Sequence, residues 1–213
     1  MSEQGDGPPG AVDESKRATL RRFAALGAAS PLARFSSHDA GTNDARDAIV
    51  GYLAATPGAH FSKLRDDLQL GTGETQHHLR QLESAGAVES RKDGDYRRFF
   101  PADRFSAFEQ RALGHLRRET PRRMLVALLR EPGLTGAALA DRLDVSAATV
   151  SRHAGTLEEA GLLARADGDG YGYAVERPET VLLLVVRYAD SFGAAAARLA
   201  READGLVAFD ADR

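Results

Sequence analysis

The run Leu143-Asp144-Val145-Ser146-Ala147-Ala148-Thr149-Val150-Ser151-Arg152-His153-Ala154-Gly155-Thr156-Leu157-Glu158-Glu159-Ala160-Gly161 decides how this chain is read. Leu143 closes one apolar-spaced segment and Ser146 is a side-chain cap for the next. Val150, Ala154 and Leu157 then recur at helical spacing until Gly161 stops them. The run also has a counterpart: moved back by 75 residues, it falls without a gap on 68–86. Pro132-Gly133 lands on Pro57-Gly58, Leu139 on Leu64, Asp141 on Asp66 and His153 on His78. Leu157-Glu158 meets Leu82-Glu83, Ala160-Gly161 meets Ala85-Gly86, and Tyr171 meets Tyr96. Self-similarity at a fixed spacing means two copies of one structural unit. They occupy 43–101 and 120–178.

Each unit reads as three helices and a β-hairpin. In the first, Ala48, Ile49, Tyr52 and Leu53 share a face of a helix over Asp44–Ala55, which Pro57-Gly58 breaks. Phe61, Leu64 and Leu68 space a short second helix. Gly71-Thr72-Gly73 is a turn with Thr72 as cap candidate, and a third helix follows over 73–85 with Gly86 as its stop. Asp93-Gly94 between β-prone flanks predicts a hairpin over 88–101. In the second unit Pro121 opens the first helix, with Met124, Leu125 and Leu128 on its apolar face. Thr135 caps the second helix, with Leu139 and Leu143 buried, and Ser146 caps the third, over 146–160. The hairpin 164–175 turns at Asp167-Gly168-Asp169-Gly170. The fold class is therefore mainly α with small β-hairpin wings.

Three segments lie outside the units. Residues 1–42 read as an N-terminal extension, disordered over about the first 12 residues and then a short helix. Its Leu20-Arg21-Arg22-Phe23 and following alanines imitate a twin-arginine export signal. The apolar run stops at Ser30-Pro31, and a short surface or docking helix is the preferred reading. Residues 102–119 read as a linker helix, with Phe105, Phe108, Leu113 and Leu116 on one face, able to act as a rigid spacer. Residues 179–213 hold a C-terminal helix of about 20 residues and a tail. Val181, Leu184, Val185, Tyr188 and Phe192 make one apolar side, and Leu182, Leu183 and Val186 widen it. Such a helix must be buried, either on its own domains or against a second copy in a homodimer. No stretch approaches the roughly 20 apolar residues of a membrane span, so no membrane partner is expected.

Three helices and a hairpin, with a tight turn between the second and third helices, is the winged helix-turn-helix plan. The stretch 145–153, with Leu157-Glu158-Glu159-Ala160-Gly161-Leu162-Leu163, resembles the recognition-helix region of MarR- and ArsR-like regulators. Residues 71–86 are similar. The tandem arrangement resembles two-domain archaeal transcriptional regulators. The resemblance implies two winged helix-turn-helix domains joined by a helix, with double-stranded DNA as partner.

The inward set of the second unit's third helix is Val150, Ala154 and Leu157, which turns Ala147, Thr149, Ser151, Arg152 and Thr156 outward. The inward set Thr75, Leu79 and Leu82 of the first unit turns out Thr72, Glu74, Gln76, His77, Arg80 and Gln81. Small and hydrogen-bonding side chains suit entry into a major groove about 12 Å wide, where Gln reads adenine and Arg guanine. The first hairpin carries Arg91, Lys92, Arg97 and Arg98, a wing suited to phosphates. The second hairpin is acidic, so the first unit is expected to dominate electrostatic affinity.

Other chemistries are disfavoured. Cysteine is absent, which removes disulfides, thiol catalysis and thiolate metal sites. His77-His78 point about 100° apart on a helix and are poorly placed to chelate one ion, so no metal is expected. No GxxxxGK[ST], HExxH or GxSxG motif occurs, so neither catalysis nor a cofactor is expected. Three of 28 basic residues are lysines, a balance similar to that of halophile proteins. The composition fits a cytoplasmic protein, and the residues name no small-molecule effector. The net charge of −3 weighs against nucleic acid and leaves an alternative open, a winged-helix protein–protein interaction module without its own DNA specificity.

Overall fold

The computed structural model describes residues 9–28, 40–166, 171–193 and 197. Two compact units divide the chain, Met1–Arg104 and Phe105–Arg213.

The first unit begins with two helices, α1 (Pro9–Ala28) and α2 (Ala40–Ala55), packed on each other. The N-terminal extension thus contains a 20-residue helix that starts within the stretch read as disordered. Its cause is visible in the spacing of Lys16, Leu20 and Phe23. Leu20 and Phe23 pack on the core, and the Phe23 ring meets Tyr52 of α2 edge-on at 5.2 Å. Strand β1 (Ala59–His60), α3 (Phe61–Asp67), α4 (Thr72–Ser84), β2 (Val88–Asp93) and β3 (Tyr96–Pro101) complete the unit. The β-strands form one antiparallel sheet in the order β1-β3-β2, so the wing is anchored by a third strand. That strand is only two residues long and carries no periodic signal.

The core holds Ala48, Ile49, Leu53, Leu64, Leu68, Leu79, Leu82, Val88 and Phe99. Burying each large aliphatic group contributes roughly 1.5–3 kcal/mol. The Tyr52 hydroxyl donates to Asp67 at 2.7 Å, so one side chain ties α1, α2 and α3 together.

The second unit comprises α5 (Ala107–Leu116), α6 (Glu119–Arg130), α7 (Gly136–Leu143), α8 (Ala147–Glu159), β4 (Leu163–Arg165), β5 (Tyr173–Val175) and α9 (Pro178–Arg187), followed by a 3₁₀ turn at Ala189–Phe192. The helix read as a spacer, α5, packs on α6 and α9 within this unit, with Phe108, Leu113 and Leu116 buried. Arg111 donates to the Ala160 carbonyl at 2.7 Å, fastening α5 to the end of α8. The C-terminal helix is shorter than its apolar pattern suggests. It ends at Arg187 with Tyr188 as its C-cap, and the Ser191 hydroxyl donates to the Tyr188 carbonyl at 2.6 Å in the turn that follows. Val181, Leu184 and Val185 are buried, whereas Leu183 and Val186 are exposed. The acidic tip of the second wing, 167–170, and the chain beyond Gly193 apart from Ala197 lie outside the described residues.

The 75-residue shift holds in the backbone. Helices α2 and α6 end at Ala55 and Arg130, α3 and α7 start at Phe61 and Gly136, and α4 and α8 start at Thr72 and Ala147. Gln69 and Asp144, in the turn before the third helix, both have positive φ (55° and 54°). Gly86 and Gly161 close the third helices at φ 67° and 66°, a conformation that costs glycine little. Gly172 has a different necessity: a Cβ there would strike the Gly133 backbone.

Candidate nucleic-acid interface

Helix α8 behaves as its spacing predicts. Val150, Ala154 and Leu157 are buried, while Ala147, Ser151, Arg152 and Thr156 are exposed and Thr149 is half-buried. The Ser146 hydroxyl accepts the Thr149 backbone N–H at 3.1 Å, satisfying an orphan donor of the first turn. Its oxygen also lies 2.9 Å from the Thr149 hydroxyl. Thr156 donates its hydroxyl proton to the His153 carbonyl at 2.9 Å, so it faces outward as an acceptor.

Helix α4 buries Thr75, His78, Leu79 and Leu82 and exposes Thr72, Gln76, His77, Arg80 and Gln81. Its cap is Gly71 rather than Thr72, which is the first helical residue. Gly71 has no side-chain acceptor, and Glu74 supplies the capping contact instead, accepting the Gly71 N–H at 3.1 Å. The same carboxylate oxygen lies 3.2 Å from Lys16 Nζ of α1. Burial raises the Glu74 pKa, but the Gly71 N–H and Lys16 outweigh it and hold the group below its ordinary value. Glu74, read from spacing as an outward base contact, is thus occupied as a cap and ion-pair partner.

The wing shows a second departure. Strands β2 and β3 pair Ser90 with Phe99, Arg91 with Arg98, Lys92 with Arg97 and Asp93 with Tyr96. Side chains alternate across a ribbon, so Ser90, Lys92, Arg97 and Phe99 share one face. Arg91 and Arg98 take the other. Arg98, read as a phosphate contact, is only 3% exposed. It pairs with Asp93 and donates to the Gly58 carbonyl at 2.9 Å. It braces the wing against the loop after α2. Period-2 alternation in Tyr96–Pro101 already puts Arg98 on the side of Phe100, which is fully buried. Arg91 is half-buried, and Lys92 and Arg97 are exposed.

The Ser90–Lys92–Arg97–Phe99 face meets α4. Glu83, in the last turn of α4, accepts from the Ser90 hydroxyl at 2.6 Å and from Arg97 Nη2 at 2.8 Å. Arg97 Nε donates to the same hydroxyl at 2.8 Å. Between helix and ribbon lies a cleft of about 350 Å³. Phe61, Leu79 and Phe99 line it together with Gln76, Arg80, Glu83 and Arg97. The expected readers Gln76 and Arg80 and the expected phosphate contact Arg97 therefore surround one concave surface. Among the described residues, no group of three or more potential ligands is placed to hold a metal ion, and no helix is long and apolar enough to cross a membrane.

The repeated part of each unit thus presents three helices, α2–α4 or α6–α8, a tight turn before a half-exposed third helix, and an antiparallel ribbon beside it. This chain carries two winged helix-turn-helix domains in tandem. Residues 43–113 match the family described as an N-terminal HTH domain, and 112–170 match the MarR family. An uncharacterized HTH-type transcriptional regulator of Methanocaldococcus jannaschii is 30% identical over 121 residues. That alignment covers 57% of this chain and 30% of the relative, so this chain spans under a third of the relative's length.

Two outcomes follow for the framework. Arg98→Ala removes the buried member of the Arg98–Asp93 pair together with its bond to the Gly58 carbonyl, at a cost of about 3–5 kcal/mol. Arg97→Ala, at an exposed pair, costs less than about 1 kcal/mol. Urea unfolding measures both, and equal midpoints would show that Arg98 is not a brace.

The buried His78 supplies the other outcome. Burial pushes its pKa below the ordinary 6.5, with His77 and Arg46 acting the same way and Glu74 and Gln81 opposing. The unfolded chain therefore takes up the proton first as pH falls. Stability is complete above about pH 6.5 and declines below it, through the lowered folded value. His60 and His153, also lowered mainly by burial, add to the same slope. In His78→Leu the stability difference between pH 7.5 and pH 5, read by urea titration, shrinks; a full difference would clear this histidine.

Proposed function

We propose that the chain is a sequence-specific regulator of transcription that binds double-stranded DNA, with α4 and α8 as its major-groove helices and the β2–β3 wing on the backbone. The family matches support a DNA-binding regulator. The observation that carries the finer reading is the concave surface of the first unit. Gln76 and Arg80 stand on its helix side, and Arg97 on its ribbon side with Lys92 on the same ribbon face. A helix lying in a groove about 12 Å wide brings an adjoining ribbon against the flanking phosphates. Gln76 and Arg80 then face base edges, and Lys92 and Arg97 neutralise backbone charge. Thr72, His77, Gln81 and Arg91 flank these groups.

In the second unit Ala147, Thr149, Ser151, Arg152 and Thr156 form a smooth, nearly uncharged face suited to close approach. Among the described residues its ribbon carries one basic side chain, Arg165, with Nε 3.1 Å from Glu158, where the first unit's ribbon carries Arg91, Lys92 and Arg97 outside its core. Electrostatic affinity accordingly resides in the first unit. That same neutrality favours a second reading for this domain alone, a surface that binds protein rather than DNA. A local basic face can operate on a chain of net charge −3 because salt confines each field to about 8–10 Å.

The double variant Lys92→Ala/Arg97→Ala should weaken binding to every duplex tested. It should also flatten the slope of log K against log salt by about 1.8, two phosphate contacts' worth. A slope unchanged from wild type removes the wing from the interface. Gln76→Ala and Arg80→Ala should instead change which sequences are selected from a random duplex pool, by about 1–3 kcal/mol at one base pair each. Selection of an identical consensus by both variants would exclude direct reading by α4.

A further inference from the structure

The contact between the third helix and the wing occurs twice in the chain, built in two ways. In the first unit Glu83 of α4 holds Arg97 of β3, and the Arg97 guanidinium lies 5.6 Å from the Phe99 ring centroid. In the second unit Glu158 of α8 holds Arg165, whose guanidinium lies 4.4 Å from the Tyr173 ring centroid. Glu83 and Glu158 are equivalent under the 75-residue shift, but their arginines are not. Arg165 stands at the place of Ser90, on the first strand of its ribbon, whereas Arg97 is on the second. By strand pairing Tyr173 stands at the place of Phe99 and Tyr171 at that of Arg97, so the second unit has no arginine there; Gly172, where a side chain would collide with Gly133, stands at the place of Arg98. A glutamate, an arginine and an aromatic ring are thus assembled from opposite strands at one place in the fold. Sequence similarity does not explain that coincidence, since the arginine has changed strands.

We infer that Glu83 is a specificity-determining residue: it clasps the wing to the third helix through Arg97 and Ser90 and thereby fixes the spacing at which α4 and the ribbon meet DNA. Glu158 does the same for the second unit. The inference rests on the DNA-binding reading above and adds a residue to it. Glu83 is a positioning residue, acting through Arg97 rather than on DNA.

A carboxylate beside a DNA-facing arginine opposes phosphate binding, so general affinity is lower than the arginine alone would give. A ribbon held in one place by two acceptor contacts also lets DNA meet Gln76, Arg80 and Arg97 in a single geometry. Freed from Glu83, Arg97 can reach any nearby phosphate, and the cleft between α4 and the ribbon loses its set width. Charge and geometry therefore act in opposite directions on general affinity and on discrimination. A carboxylate whose role was only to stabilise the fold would leave discrimination unchanged.

The experiment uses the full chain, a duplex selected by wild type from a random pool, and the unselected pool, titrated across a salt series. Glu83→Gln should bind the unselected pool about three- to tenfold more tightly, since one negative charge near the backbone is gone. Its salt slope should steepen by less than the about 0.9 of one full phosphate contact, since Arg97 already faces phosphate in wild type and only the opposing carboxylate is removed. Its preference for the selected duplex should fall about tenfold, the share of one well-placed base contact. Glu83→Asp keeps the charge and shortens the reach, and should also lose discrimination. Melting curves confirm that both variants remain folded, as expected when an exposed pair is altered.

If wild type shows no salt-dependent binding or selects no duplex, the DNA-binding reading falls and the inference with it. If wild type selects a duplex and Glu83→Gln discriminates as well as wild type, the clasp alone is overturned. Wild-type discrimination in Glu83→Asp overturns it too, leaving charge without geometry.

Discussion

A helix of 13 residues with as many polar side chains as α4 or α8 is marginal in water by itself, because nucleation is costly and few residues propagate it. Each persists here because one stripe is driven into a core. Thr75, His78, Leu79 and Leu82 do this in the first unit, and Val150, Ala154 and Leu157 in the second. A stripe that narrow leaves the opposite face to solvent. The exposure of Gln76, Arg80, Ser151 and Arg152 is therefore a consequence of how the helices are stabilised, and the chemistry of that face is free to vary. The two units use this freedom differently, the first with charge and long polar groups, the second with small side chains.

The wing depends on the same constraint. A two-stranded ribbon is marginal alone, and the first unit supports its own from three directions. β1 adds a third strand, Arg98 bonds back to Asp93 and the Gly58 carbonyl, and Glu83 reaches across from α4. Alternation then divides the basic residues. Arg98 serves inside and Lys92 and Arg97 outside, so only part of the wing's positive charge is available to a partner. The second unit has a shorter ribbon, with an isolated bridge between Thr135 and Gly172 where the first has β1 paired with β3. Arg165 there lies over Tyr173 and against Glu158.

Most of the architecture was legible because it is written in apolar spacing and breakers, which act locally. The repeat, both third helices, the Ser146 and Thr135 caps and both hairpins follow from residues close in sequence. Contacts that join distant segments were not legible. Lys16 and Glu74 are 58 positions apart, Arg98 and Gly58 are 40 apart, and nothing local marks either pair. The cap at Gly71 was hidden for another reason. The intrinsic preference of Thr72 competes with the register of the repeat, which sets Gly71 against Ser146, and tertiary packing follows the register. Arg98 was readable in principle, since alternation with Phe100 turns it inward; composition drew it into the basic cluster instead.

Equivalence under the 75-residue shift also separates what the fold requires from what each unit does with it. Helix ends, the positive φ at Gln69 and Asp144, and the glycines after the third helices coincide in both copies, so they belong to the scaffold. The groups that face outward do not coincide: Gln76 stands opposite Ser151, His77 opposite Arg152, Gln81 opposite Thr156. Glu83 and Glu158 fall between these classes, an identical residue at an identical place whose partner comes from a different strand. What is held in common there is the join between helix and ribbon. A surface that must meet a rigid, periodic partner needs its two contacting elements at a fixed separation, and neither the helix nor the ribbon can set that separation alone.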